Sequence, residues 1–270
     1  MWSFEMVAAM LAVGAAAGVI AGMFGVGGGT ILVPLVLWIL QMQGAENFQY
    51  AQHIAIGTSF AVMVFTSFAS TSAQYKRQAV DMDVLRAMVP GVLCGVAAGA
   101  LVAQYLPNKG LQVFFTLFIA ILAVRALLGI KPTPERQLPG RGGLFGMGGL
   151  FGLLSSWIGI GGGSLTVPYL TFCNVPVHRA VGTSAALGWP IAAAGAIGYA
   201  WAGWNQAGLP EGSAGFVYLP AVGILAVATL LSAPLGVRLS HKLPADKLKK
   251  GFGILLLLIA LRMAWKIVQS

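Results

Sequence analysis

Apolar and polar positions along the chain sort into long hydrophobic runs separated by short polar breaks. A bilayer is spanned by about 17–25 apolar residues in a helix. Runs near that length cover 4–23, 53–75, 84–105, 109–130, 178–202, 215–238 and 247–268. Shorter apolar pieces, 30–41, 143–158 and 160–173, flank two glycine clusters. The pattern predicts an all-α polytopic membrane protein with no stretch left over for a soluble domain. The first run lacks the basic n-region and small-residue cleavage site of a signal peptide, so it is expected to persist as a helix.

The two glycine clusters are near copies. FGVGGGTILVPLV starts at Phe24 and IGIGGGSLTVPYL at Ile158. A second motif follows each: HIAIGTS from His53 and HRAVGTS from His178. Gly14, Gly18 and Gly22 align with Gly148, Gly152 and Ser156, a small-residue ridge of the kind that lets helices approach closely. GALVAQYLP ending at Pro107 aligns with GVRLSHKLP ending at Pro244, and Arg125 falls opposite Arg262. The chain therefore reads as two homologous repeats, 1–130 and 143–270, joined by a linker over 131–142 that is rich in proline, glycine and charge.

Composition agrees with the membrane assignment: 58% of residues are hydrophobic, 9% are charged and the mean hydropathy is +0.84. Soluble domains carry roughly 25% charged residues. The net charge of +9 does not indicate nucleic acid, because the basic residues sit at helix ends and short loops, where they set orientation. The loop 205–215 has no Lys or Arg and is placed outside; 238–250 holds five and is placed inside. Alternation then puts both termini outside and the linker and the 76–86 loop inside. Only Lys109, Arg262 and Lys266 fall near the outer face. Pro107 and Pro244 come to lie on opposite sides of the membrane, so the repeats are inverted, a recurrent architecture of secondary transporters. Cys94 and Cys173 lie in apolar segments without metal-ligand spacing and read as small hydrophobes. No metal or cofactor is expected.

Irregular backbone at membrane depth is costly unless it is buried in protein or lines a water-filled cavity. Two breaks at matching places of inverted repeats therefore point to a midplane site. Gly27, Gly28 and Gly29, with Gly161, Gly162 and Gly163, allow tight turns and expose backbone N–H groups. The helices that resume at Thr30 and Ser164 start with unpaired N–H groups and a positive dipole end, a site for an anion that needs no charged side chain. Thr30 and Ser164 either cap these helices or turn their hydroxyls to the ligand. The competing reading of the triple glycines is a packing device for close helix crossing. Thr58 and Ser59, like Thr183 and Ser184, either donate to an oxyanion or bond their own backbone. His53 and His178 sit at helix starts, at the interface or as gating or protonation groups. Arg125 and Arg262 lie about one turn from helix ends, where they snorkel to headgroups or serve as functional charges. None of the seven acidic residues falls deep within a predicted span, which argues against cation coupling through buried carboxylates.

The paired GxGGGxxxxP segments at 25–34 and 159–168, each followed by HxAxGTS, resemble the TauE/SafE sulfite exporter family, also called the four-toluene-sulfonate uptake permease family. The resemblance covers essentially the whole chain. It implies a prokaryotic inner-membrane transporter of small sulfur-containing anions, such as sulfite, sulfoacetate or thiosulfate, with membrane lipid as its other partner. Enzyme readings fail on the residues: no Lys follows either glycine cluster as a Walker loop requires, and Thr30 and Ser164 stand where a dinucleotide motif needs its last glycine. An uptake carrier, or a channel for another small anion, is the alternative; a channel shows no trans-stimulation.

Overall fold

A computed structural model describes residues 4–24, 28–42, 49–129, 136–242 and 245–269. The first five helices are α1 (Phe4–Phe24), α2 (Gly29–Met42), α3 (Ala51–Lys76), α4 (Met82–Ala103) and α5 (Asn108–Leu127). The next three are α6 (Arg141–Ile158), α7 (Gly163–Phe172) and α8 (Val177–Ala202). A two-residue hairpin, β1 (Ser213–Ala214) and β2 (Val217–Tyr218), leads into α9 (Leu219–Lys242) and α10 (Ala245–Gln269). Stretches long and apolar enough to cross a membrane occur in six of these helices: α3, α4, α5, α8, α9 and α10. The protein is an all-α polytopic membrane protein.

Two boundaries differ from the hydrophobic pattern. The run 215–238 predicts one helix, but the helix starts only at Leu219. Gly212 and Gly215 adopt left-handed φ values of 83° and 56°, which turn the chain into the hairpin. A Cβ on Gly215 would overlap the Ala200 carbonyl, so the hairpin lies directly against the end of α8. In addition α6 begins at Arg141, inside the segment read as linker; residues 131–135 of that segment lie outside the described residues.

Hydrophobic burial cannot drive helices together in lipid, so close backbone approach must. The principal contacts run between the first five helices and the last five: α4 with α6, α1 with α9, α3 with α8, and α5 with α10. Smaller contacts join α4 with α8, α2 with α3, α3 with α9 and α7 with α8. Exchanging α1 with α6, α2 with α7, α3 with α8, α4 with α9 and α5 with α10 leaves these pairings unchanged. Small residues permit the closest crossings. A Cβ on Gly91 or Gly95 of α4 would overlap carbonyl oxygens of Phe145 or Gly149 on α6. In return, a Cβ on Gly148 would lie 2.5 Å from the Met88 carbonyl, and one on Gly152 would overlap that of Val92. Gly14 and Gly18 of α1 meet Ala228, Thr229 and Ser232 of α9 in the same manner. The surroundings of Gly22 lie outside the described residues. Leu117 and Ile121 of α5 and Leu258 and Leu261 of α10 are exposed, as a lipid-facing surface requires.

Candidate functional site

Each glycine cluster ends one helix and starts the next. The α6 helix stops at Ile158 because Gly159 turns left-handed, at φ 75°, and Gly28 takes φ 80° ahead of α2. Both helices that follow start one residue earlier than the sequence reading places them. Gly162 is the N-cap of α7 and the Gly28 carbonyl accepts from Ile31 and Leu32, so Thr30 and Ser164 lie inside the first turns and are not caps. Ahead of α2 the reason is Gly28, whose left-handed φ of 80° suits a residue without Cβ; Gly162 has ordinary helical dihedrals and extends α7 back by one residue. Pro34 and Pro168 then fall in the helix interiors, opposite the carbonyls of Thr30 and Ser164, and leave those carbonyls without an i+4 donor.

The two breaks touch. A Cβ on Gly29 would overlap the Gly159 carbonyl and lie 2.9 Å from the Ile160 Cα. Gly159 itself packs on Val33 and Ile56. The N–H groups of Gly29, Thr30, Gly163 and Ser164 precede the first helical acceptors and have no carbonyl to bond within their helices. No side chain caps α7. The hydroxyls of Thr30, Ser164 and Ser184 are buried without a hydrogen-bond partner. Gly27 lies outside the described residues.

Gly28, Gly161, Gly162, Gly163 and Ser184 line the buried end of a cavity of about 430 Å³. From α3 the lining takes Thr66, Ser67, Ser70, Ala73, Gln74 and Arg77, a stripe at helical spacing that becomes exposed at Ala73 and Arg77. Sequence reasoning missed this stripe. Its signal was available: hydroxyl and amide residues recur on one face of an otherwise apolar helix. Gly29, Thr30, Ser59 and Ser164 stand behind the lining rather than in it.

The opposite end is shut. At the matching positions of α8 stand Ala192, Gly195, Gly198, Tyr199 and Ala202. A Cβ on Gly195 would lie 2.6 Å from the Phe60 ring, and the Tyr199 hydroxyl donates to the Ser156 carbonyl at 2.8 Å. Phe60, Tyr199, Phe216, Tyr50 and His53 continue as one run of ring contacts.

The H-x-A-x-G-T-S motifs divide between packing and lining. Thr58 Oγ1 accepts from the Tyr218 N–H at 2.9 Å, just before α9, and Thr183 Oγ1 accepts from the Asp81 N–H at 2.8 Å, just before α4. The preceding glycines make room: a Cβ on Gly57 would lie 2.5 Å from the Phe216 carbonyl, and one on Gly182 would overlap that of Ala79. Thr183→Val should therefore cost about 1 kcal/mol of stability by leaving a half-buried N–H unpaired; an unchanged unfolding midpoint would remove this clasp from the account. Ser59 Oγ donates weakly to the Gly159 carbonyl at 3.4 Å, whereas its counterpart Ser184 has no partner.

His53 lies in the first turn of α3, beside the last residue of α4, and is packed within the protein rather than facing outward. Its ring is fully buried, Nε2 donates to the Ala103 carbonyl at 2.8 Å, and Tyr50 and Phe216 pack against it. The hairpin that replaces the first turn of the expected helix brings Phe216 over it. His178 is exposed at the start of α8. Arg125 is half-buried in the last turn of α5 and Arg262 is exposed on α10; neither lines the cavity. Cys94 is exposed and Cys173 buried. Among the described residues no cluster of His, Cys, Asp and Glu fits a metal ion.

Comparisons with known proteins give the family. The sulfite exporter TauE/SafE family matches residues 10–263. A probable membrane transporter protein of Haemophilus influenzae is 32% identical over 265 residues, covering 97% of this chain and 100% of that one. One from Methanocaldococcus jannaschii is 25% identical, covering 89% of this chain and 88% of its own. A probable sulfite/organosulfonate exporter TauE of Cupriavidus necator is 29% identical over 126 residues, 46% of this chain and 49% of that one. No solved structure matches the chain.

Proposed function

Because the chain belongs to the sulfite exporter TauE/SafE family and is a membrane transporter, we propose that it exports small sulfur-containing anions, sulfite or organosulfonates such as sulfoacetate, across the inner membrane by alternating access. The observation that carries this reading is the set of unpartnered hydroxyls of Thr30, Ser164 and Ser184 beside two helix starts that meet at the buried end of a cavity. A desolvated anion needs donors around it, and N–H groups at helix N-termini supply them with a favourable dipole. A sulfonate or sulfite oxygen in the cavity accepts from the Gly163 N–H and the Ser184 hydroxyl, which line it. The N–H groups of Gly29, Thr30 and Ser164 and the hydroxyls of Thr30 and Ser164 stand directly behind and are reached when the lining parts around the anion. Gly28, Gly161 and Gly162 let the backbone approach the anion.

The cavity reaches one end of the bundle and aromatic residues close the other, which favours a carrier over a channel. The pairings that survive exchange of the first and last five helices support two inverted repeats, 1–130 and 143–270, rocking against each other. To open the closed end, the Phe60 ring must leave Gly195 and the Tyr199–Ser156 hydrogen bond must break. The positive-inside bias places both termini outside and the Arg77 end of the cavity in the cytoplasm. With the interior negative, each exported negative charge gains about 2.3 kcal/mol per 100 mV, so no coupling ion is required.

The test is thermal stabilisation of the purified protein by sulfite, thiosulfate, sulfate, sulfoacetate, taurine and acetate. One sulfur anion should raise the midpoint selectively. Ser184→Ala should weaken that binding about three- to tenfold, the worth of one hydrogen bond. Stabilisation by acetate alone, or by none of the six, would sink the sulfur-anion reading.

A further inference from the structure

The cavity carries one ionisable group among its lining residues, Arg77, at the exposed end. Arg77 is the C-cap residue of α3, ten positions beyond the buried Ser67, or about 15 Å along the helix at 1.5 Å per residue. Such a distance rules out contact with an anion held at the glycine breaks. It does place a full positive charge where an anion leaves bulk water for the cavity, between walls that are mostly apolar. Low-dielectric walls concentrate such a field along the opening.

Nothing acidic among the described residues neutralises it. The nearest acid in sequence, Asp81, is committed elsewhere: its carboxylate accepts from the N–H groups of Asp83 and Val84 and lies 3.9 Å from Arg179. Among the described residues, the matching positions of the second repeat carry no such charge. The position on α8 that matches Arg77 is Ala202, and Tyr199 fills the place matching Gln74. The two approaches to the central site are therefore electrically unequal.

We propose that Arg77 is the recruitment residue of the transporter: it gathers anions at the mouth of this cavity and sets apparent affinity on that face alone, without taking part in the bound site. This rests on the anion-transport reading above. An arginine that merely completed the C-terminus of α3 or fixed orientation would change stability or insertion, with equal consequences for both faces.

Sulfite flux in membrane vesicles of both orientations separates these roles, using wild type, R77Q, R77E and R77K. The face carrying Arg77 is established by labelling R77C, in a Cys94→Ala background, with a membrane-impermeant thiol reagent. At low ionic strength, R77Q should raise KM on the Arg77 face about three- to tenfold and R77E further. On that face kcat should be unchanged, and KM at the opposite face should stay within about twofold of wild type. R77K should behave as wild type, and the salt dependence of wild type should flatten in R77Q. Equal shifts on both faces, or no shift, would overturn the assignment while leaving anion transport standing. A wild type that carries no sulfite, thiosulfate or sulfoacetate would overturn both.

Discussion

Gly29→Ala is expected to reduce sulfite counterflow in proteoliposomes to about 1% of wild type or less, with membrane insertion intact. One methyl group suffices because its neighbours are backbone. It would overlap the Gly159 carbonyl and press on the Ile160 Cα, so the two breaks must separate for it to fit. Separation moves the N–H groups of Gly29 and Thr30 away from those of Gly163 and Ser164, and misplacement by about 1 Å can cost two orders of magnitude in a positioned site. Gly162 offers a graded comparison. There a Cβ meets the ends of Ile191 and Thr166 side chains at 3.0 and 3.2 Å, and both can yield. Gly162→Ala should therefore retain a measurable fraction, about a tenth of wild type, since moved side chains cost less than moved backbone. If Gly29→Ala is folded and transports at the wild-type rate, contact between the breaks has no part in binding.

Gly95→Leu should show the largest loss of stability, about 3 kcal/mol. The α4–α6 crossing is close along its length: Gly95 faces the Gly149 carbonyl, Gly91 the Phe145 carbonyl, and Gly99 the Ser156 hydroxyl. A leucine cannot be accommodated without parting the helices along this whole line. The internal control is Gly146, on α6 itself, where an added Cβ meets nothing within 4 Å. Gly146→Leu should leave the unfolding midpoint in detergent nearly unchanged while Gly95→Leu lowers it by several degrees. Equal effects at both positions would mean that helix propensity, not close crossing, explains the glycines.

The helices were legible in the hydrophobic runs because bilayer spans need long apolar stretches and leave little ambiguity of length. So were the breaks, because GGG inside such a run has few explanations. The small residues of α1 and α6 announced close crossings, and α9 and α4 supply the partners. Pairing partners were not legible: periodicity says which face is small, not which distant helix it meets. The hairpin at 213–218 escaped because Phe216, Val217 and Tyr218 continue an apolar run, and only the left-handed Gly212 and Gly215 interrupt it. The burial of His53 was illegible for the same reason, since the residue that covers it arrives from 163 positions away. Thr58 and Ser59 are adjacent and chemically alike, so sequence could not separate a clasp from a donor near the site. The difference lies in whether Tyr218 or Gly159 stands opposite.

The exchange of partners between the first and last five helices bears on how the chain is made. The α1 helix ends at Phe24, and its partner α9 does not begin until Leu219. At about 5–20 residues per second, translation leaves α1 without that partner for roughly 10–40 s. During that interval Gly14 and Gly18 present their groove to lipid or to the insertion machinery. The α6 helix, in contrast, emerges after α4 and can dock as soon as it enters the membrane. Assembly therefore starts with the α4–α6 pair, and α1, made well before its partner, is among the last of these helices to be locked in place.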